Sequence, residues 1–359
     1  MQLQSRRKTV SFHGIRQHLF AFVCGCTLVS AVGGASAFAQ EQNSENRSFE
    51  EEAQYVSFQV PGYYDTYPQS INRSFSVAGY CSQGTTNYHG FVRDARGTVT
   101  LIDPPGSTFT IARSINSAGT IAGYFQSSSG VQGFVRFPRG SFVTFDYLGN
   151  ETVAWSINDL GAVTGYYVDG VVQHGFLRSS AGKLISLDPP ESTYTFPTSI
   201  NDDGTIVGSY VAGGRQHGFI RYVHGEFATF DPPGDVQTFP TSIDARGAVA
   251  GFYNDASMVS HGFVRSEHGT ITTFDPQGST QTAPQSININ GVAAGSFSDV
   301  GSHGFVRTER GSLVTIDFPG GNNTNVWSIN GFGAVTGTYQ NIAESTLGFV
   351  RVPLHWDVR

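Results

Sequence analysis

The run Ser199-Ile200-Asn201-Asp202-Asp203-Gly204, followed by His217-Gly218-Phe219-Ile220-Arg221 and then Phe230-Asp231-Pro232-Pro233-Gly234, decides how this chain folds. Each piece recurs. Ser-Ile-Asn, or Ser-Ile-Asp once, begins at Ser70, Ser114, Ser156, Ser199, Ser242, Ser286 and Ser328, at spacings of 44, 42, 43, 43, 44 and 42 residues. Gly-Phe-x-Arg ends at Arg93, Arg136, Arg178, Arg221, Arg265, Arg307 and Arg351. Asp after an apolar residue, mostly followed by Pro and Gly, recurs at Asp103, Asp146, Asp188, Asp231, Asp275 and Asp317. Three markers that keep one order and one period define an internal repeat.

Each repeat reads as four short strands. The first runs into Ser-Ile-Asn, and an Asn-x-x-Gly turn follows, in which Asn suits the start and Gly the positive φ that closes the hairpin. The second is of the type Thr205 to Tyr210, the third is His-Gly-Phe-x-Arg, and the fourth, of the type Glu226 to Asp231, follows a turn ending in Gly. Runs rich in Val, Ile, Thr and Phe between Gly and Pro are strand signals. No segment beyond the N-terminal region carries a helical period. Four strands in about 43 residues is the size of a propeller blade. The expected fold is all-β, a seven-bladed β-propeller over residues 55–359.

The seventh repeat runs out of chain before its fourth strand. A matching strand stands at the other end, where Val56-Ser57-Phe58-Gln59-Val60-Pro61-Gly62 aligns with Ala228-Thr229-Phe230-Asp231-Pro232-Pro233-Gly234. The N-terminal strand is therefore expected to complete the last blade and close the ring, which avoids exposed sheet edges.

Composition agrees. The chain has 359 residues, with 28 Phe and 13% aromatics, enough to fill a core and to exclude wholesale disorder. A formal net charge of −7 argues against nucleic-acid binding. Arg6, Arg7, Lys8 and Arg16 precede an uncharged stretch from Leu19 to Val32 and an Ala37-Phe38-Ala39 cleavage pattern. Residues 1–39 thus read as a secretory signal peptide, and the expected location is outside the cytoplasm, extracellular or periplasmic, after cleavage near Ala39. Lipidation at Cys26 is a minor alternative. Residues 40–54 are polar and acidic and read as a flexible leader. Cys81 is then the remaining cysteine, which excludes an intrachain disulfide. No transmembrane segment is expected in the mature chain, and a monomer is the expected state.

Strand pairing is expected to bring the His of each third strand beside the Asp that ends the fourth: His89 with Asp103, His174 with Asp188 across from Leu187, His217 with Asp231, His261 with Asp275, and His303 with Asp317. Gln132 and Leu347 replace His in two repeats. A structural tie within each blade is favoured over a ring of metal or acid–base sites, since one active site does not need five copies and Leu347 cannot ligate a metal. The repeated Arg is expected to pair with carboxylates. No catalytic residue, metal or cofactor is indicated: G-x-S-x-G, H-E-x-x-H and the P-loop are all absent from the sequence.

Antiparallel alternation puts the second-to-third and fourth-to-first connections on one face of the disc. These connections vary between repeats, and variable loops on a rigid scaffold are where binding resides. The candidate ligand residues there are Tyr88, Asp169, Asp255, Asp299 and Glu344, with the strand-end aromatics Tyr80, Tyr124, Tyr167, Tyr210 and Tyr253.

The repeated Ser-Ile-Asn…His-Gly-Phe-x-Arg…Phe-Asp-x-Pro-Gly pattern resembles the bacterial extracellular repeats of the HAF family over residues 56–351. Gly usually stands here where the family name has Ala, as in His217-Gly218-Phe219, and Phe75 replaces the turn Gly in the first repeat. The resemblance implies secretion and propeller-like repeats, and no particular reaction. The expectation is a non-catalytic secreted binding or scaffold module, its partner an extracellular glycan or protein. The competing expectations are a propeller hydrolase or lyase acting on extracellular polysaccharide, and a cell-surface adhesion or assembly component.

Overall fold

The computed structural model describes residues 53–84 and 87–353; the expected signal peptide and all but the last two residues of the expected leader lie outside them. Among the described residues every regular element is a strand, 28 in all, grouped four to a unit. No helix among them is long and apolar enough to cross a membrane. In the fourth unit the strands are Tyr194–Ile200, Ile206–Ala212, Arg215–Arg221 and Phe227–Phe230, each antiparallel to the next. A single parallel bridge, Gln216 to Gln237, links this unit to the fifth.

The last sheet is assembled from the first and last of the described strands. Asn322–Ile329, Val335–Gln340 and Thr346–Pro353 are followed in the sheet by Ala53–Phe58, with Ser57 opposite Phe349 and Phe58 opposite Gly348. That strand takes in Ala53 and Gln54, which the sequence assigns to the leader.

The repeated motif is explained by contacts between units. Each Ser of Ser-Ile-Asn accepts a hydrogen bond from the backbone N–H of the Ile one unit later, from Ile115 to Ser70 at 3.3 Å through to Ile329 to Ser286 at 3.3 Å. Ile71 of the first unit donates in turn to Ser328 of the last, at 3.2 Å. The Asn side chains form a second belt. Asn72, Asn116, Asn158 and Asn201 each donate to the backbone carbonyl of the equivalent residue in the next unit, as do Asn288 and Asn330. The same Asn Oδ1 accepts from the residue after the turn, as Asn201 does from Thr205 at 3.0 Å. One side chain thus shapes its own turn and holds its neighbour.

Phe91, Phe134, Phe176, Phe219, Phe263, Phe305 and Phe349 of Gly-Phe-x-Arg have no solvent exposure and are the largest fully buried side chains. Each such burial is worth roughly 1.5–3 kcal/mol before entropy is subtracted. The glycine of the second strand makes room for them. A Cβ on Gly208 would lie 2.2 Å from the Phe196 carbonyl oxygen, and one on Gly251 would lie 2.7 Å from the Phe263 ring.

Two expectations need correction. Four of the arginines that end the third strands have an aromatic ring and a backbone carbonyl, not a carboxylate, as partners among the described residues. Arg93, Arg178, Arg265 and Arg307 lie over Phe58, Phe145, Phe230 and Phe274 of the preceding unit's fourth strand, 4.9–5.3 Å from the ring centres. Their Nη1 atoms donate to the carbonyls of Asp94, Ser179, Ser266 and Thr308. A flat, weakly hydrated guanidinium suits that half-buried aromatic lid. The second correction is of register: Leu187 lies opposite Gly175, not His174. Arg178 pairs with Leu184, so the connection spans the five residues 179–183, closed by Ser179 N–H to the Lys183 carbonyl and by Gly182 at φ +92°. An odd-length connection moves the pairing by one residue and sets His174 level with Asp188.

Phe75 occupies the position where the other turns hold Gly. It adopts φ +59° and keeps the turn, donating to the Asn72 carbonyl at 3.0 Å. Its ring stacks on Phe332 of the last unit, 6.0 Å between centres and 5° from parallel.

Candidate functional site

The His–Asp pairs form at the start of each third strand. His89 Nδ1 lies 2.7 Å from Asp103, His174 2.9 Å from Asp188, His217 2.7 Å from Asp231, His261 2.7 Å from Asp275 and His303 2.9 Å from Asp317. The second carboxylate oxygen of Asp103, Asp188 and Asp231 accepts the backbone N–H of the following Gly90, Gly175 and Gly218. One carboxylate therefore pins both the side chain and the backbone of the neighbouring strand. With Nδ1–H donated to Asp, Nε2 is the nitrogen left for other work, the geometry of an oriented general base.

The remaining two units lack the pair. In the second, Gln132 Nε2 donates to Asp146 Oδ2 at 3.0 Å, the same tie made by an amide that does not exchange a proton in the ordinary pH range. In the last, Leu347 stands in the His position and Gln59 in the Asp position. Gln59 turns instead to the carbonyls of Tyr63 and Tyr64.

Two of the histidines have a second acidic neighbour from the variable loops. His303 Nε2 lies 3.0 Å from Asp299, and His261 Nε2 lies 3.6 Å from Asp255. Burial opposes the charged ring in both, but the hydrogen bonds and charges of Asp275 with Asp255, and of Asp317 with Asp299, outweigh it and raise both pKa values. Asp255 is held below the ordinary carboxylate range first by the Val259 N–H, and Asp299 first by the Gly301 N–H. No group of three or more metal-ligating side chains is assembled among the described residues.

The candidate ligand residues divide. Asp299 and Glu344 are exposed on the loops, Asp169 is exposed at the end of the strand Val163–Asp169 and not on a loop, and Asp255 is half-buried beside His261. Tyr124, Tyr167, Tyr210 and Tyr253 are buried and present no open ring to solvent. Tyr167, Tyr210 and Tyr253 pack their rings on His174, His217 and His261, 5.1–5.5 Å away. The Tyr167 and Tyr210 hydroxyls bond Ser186 and Thr229. These three side chains act as the wall behind each histidine. Tyr80 and Tyr88 are half-buried and join Tyr124 in an aromatic cluster with Phe109, Tyr166, Trp155 and Phe196. Arg113 reaches into that cluster, a residue that motif reading passed over.

A small cavity of about 140 Å³ lies on the opposite face, between the fourth and fifth units, lined by Asp203, Tyr222, Arg246, Arg265 and Glu267 among others. It is shallow and polar, and far from the variable loops.

No family model matches the sequence, and no curated protein matches it. Solved structures share the architecture. A streptogramin B lyase structure is similar at 13% identity with a TM-score of 0.57, over 84% of this chain and 98% of the other. Virginiamycin B lyase from Staphylococcus aureus is similar at 10% identity and a TM-score of 0.57, over 83% and 99%. The Dos1 propeller is similar at 10% identity and a TM-score of 0.51, over 83% and 94%. At these identities the likeness is one of fold, and that fold is a β-propeller.

Proposed function

We propose that this chain is a secreted, non-catalytic binding or scaffold module, built as a closed seven-bladed propeller of HAF-type repeats. It engages extracellular carbohydrate or protein through the variable loops of one face. Closure is supported by the pairing of Ala53–Phe58 with Thr346–Pro353, and by the bonds from Ile71 to Ser328 and from Asn330 to Asn72. Secretion is supported by the uncharged Leu19–Val32 stretch and the Ala37-Phe38-Ala39 pattern. The observation that carries the non-catalytic reading is the Gln132–Asp146 bond. The repeated His–Asp geometry is reproduced there by a side chain with no proton-transfer chemistry, which supports reading the pairs as ties within each sheet.

The test joins a glycan array to a turnover screen on acidic and neutral polysaccharides. Binding without turnover, lost when the exposed Asp169 and Glu344 are changed together to Asn and Gln, fits the reading. Hydrolysis or elimination abolished by one carboxylate or His substitution would overturn it.

A further inference from the structure

The residue before each Ser-Ile-Asn occupies one equivalent position in every first strand: Gln69, Arg113, Trp155, Thr198, Thr241, Gln285 and Trp327. Arg113 alone among them is charged. The first strands lie against one another in succession, so equivalent positions meet. Arg113 Nη1 donates to Gln69 Oε1 at 2.7 Å, and the guanidinium carbon lies 3.6 Å from the centre of the Trp155 ring. Three successive units thus bring an amide, a cation and an indole into contact.

This cation has no acidic partner. Among the described residues the arginine–carboxylate pairs are Arg215–Asp235 and Arg246–Glu309, both elsewhere. Burial disfavours the Arg113 charge, and Tyr124, Tyr80 and Tyr166 are close enough to oppose that shift. The Tyr124 hydroxyl is itself buried without a hydrogen-bond partner. A guanidinium carries five N–H donors and a phenol one. The Tyr124 hydroxyl, unmatched at a cost of about 1–3 kcal/mol, stands beside a half-buried cation with no acidic partner, and one acceptor can satisfy both.

The surroundings narrow its chemistry. One positive charge among neutral groups balances one negative charge, and a carboxylate matches a guanidinium edge. A phosphate dianion would leave an uncompensated charge among aromatic walls. The half-buried rings of Phe109 and Phe196 suit a flat ring or the apolar face of a sugar.

We propose that Arg113 and Tyr124, backed by Gln69 and Trp155, bind the carboxylate of a small ring-bearing acid, a uronic sugar or an aromatic acid. The site breaks the sevenfold regularity of the repeats. It deepens the binding reading given above and rests on it.

The experiment titrates the secreted protein with D-glucuronate and benzoate, and with their neutral counterparts glucose and benzyl alcohol. Calorimetry and Trp fluorescence read out binding. At least one carboxylate is expected to bind, with its neutral counterpart weaker by about tenfold or more. Arg113→Gln should weaken the carboxylate by about tenfold or more, and Tyr124→Phe by severalfold without lowering the unfolding midpoint. If Arg113→Gln does not fold, the neutral counterparts and Tyr124→Phe decide the matter. The glucuronate and benzoate arms separate a sugar acid from an aromatic one. Failure of both carboxylates to bind at millimolar concentration, equal binding by Arg113→Gln, or tighter binding of inorganic phosphate would overturn the site. A glycan-array signal that persists in Arg113→Gln while both acids fail removes this site and leaves the binding module standing. Silence in both array and titration removes both.

Discussion

Asn330 Nδ2 donates to the backbone carbonyl of Asn72 at 3.0 Å, across 258 residues of sequence. The same bond links five other pairs of neighbouring units, and it is missing once. At Asp244 the side chain is a carboxylate, with Oδ1 accepting from the Arg246 and Ala248 N–H groups. It has no N–H to offer Asn288. The residue is buried, and burial raises its pKa more than those bonds lower it.

Asp244→Asn supplies the missing donor and removes a buried charge. It is expected to stabilise the protein by about 0.5–1.5 kcal/mol at neutral pH. The folded-state pKa of Asp244 is raised, so the fold binds its proton more tightly than the unfolded chain does. The penalty is therefore present above the folded pKa and disappears as pH falls into the ordinary carboxylate range. Urea melts at pH 7 and pH 4 should show the advantage of the Asn variant shrinking at the lower pH. An unchanged or lowered midpoint at pH 7 would contradict the belt.

The ties within each sheet predict an unequal pair of substitutions. His217→Gln keeps a donor toward Asp231 and is expected to cost less than about 1 kcal/mol, since Gln132 does the same work beside Asp146. Asp231→Ala removes the acceptor shared by His217 and the Gly218 N–H, and should cost about 1–3 kcal/mol. Equal effects in denaturant melts would show that the carboxylate is not the common anchor.

His261 and His303 make stability depend on pH near neutrality. Both have raised pKa values in the fold. Their contribution is therefore fully present below the unfolded value near 6.5 and is lost as pH rises through the folded values. Melts between pH 5.5 and 8 should fall in stability across that range. The double variant His261→Gln and His303→Gln should flatten the slope, and a slope that survives it would assign the effect elsewhere.

Much of this arrangement is legible in the sequence, and what is not has a physical reason. Ser-Ile-Asn marks the inner strands because one short polar residue must accept from the next unit and another must donate to it. Gly-Phe-x-Arg marks the third strand because its Phe has no exposure in any unit. The Arg partners were not legible, because the Phe58 and Phe145 rings come from the preceding unit's outermost strand. Tyr167 and Tyr210 sit at strand ends like rim residues, but only the pleat decides that they back His174 and His217. Arg113 was visible as the one charge in its column. Its meeting with Gln69 and Trp155 depends on strands more than 40 residues apart.

The close approach of the first and second strands predicts a severe effect from a small change. Gly208→Ala places a Cβ 2.2 Å from the Phe196 carbonyl oxygen, and backbone must move to relieve it. The expected loss is about 3 kcal/mol or more, against about 3–5 kcal/mol for Phe219→Ala in the same sheet. A near-neutral Gly208→Ala in thermal melts would mean the strands are farther apart than described.

The central claim is that the N-terminal strand completes the last sheet, and a cross-link tests it directly. Gln54 and Val352 are cross-strand partners. In the double variant Gln54→Cys and Val352→Cys, oxidation should produce an intramolecular disulfide in the monomer, found by non-reducing mass mapping, with a raised unfolding midpoint. Thiols that stay free under oxidant, or that link one chain to another, would contradict the proposed ring closure.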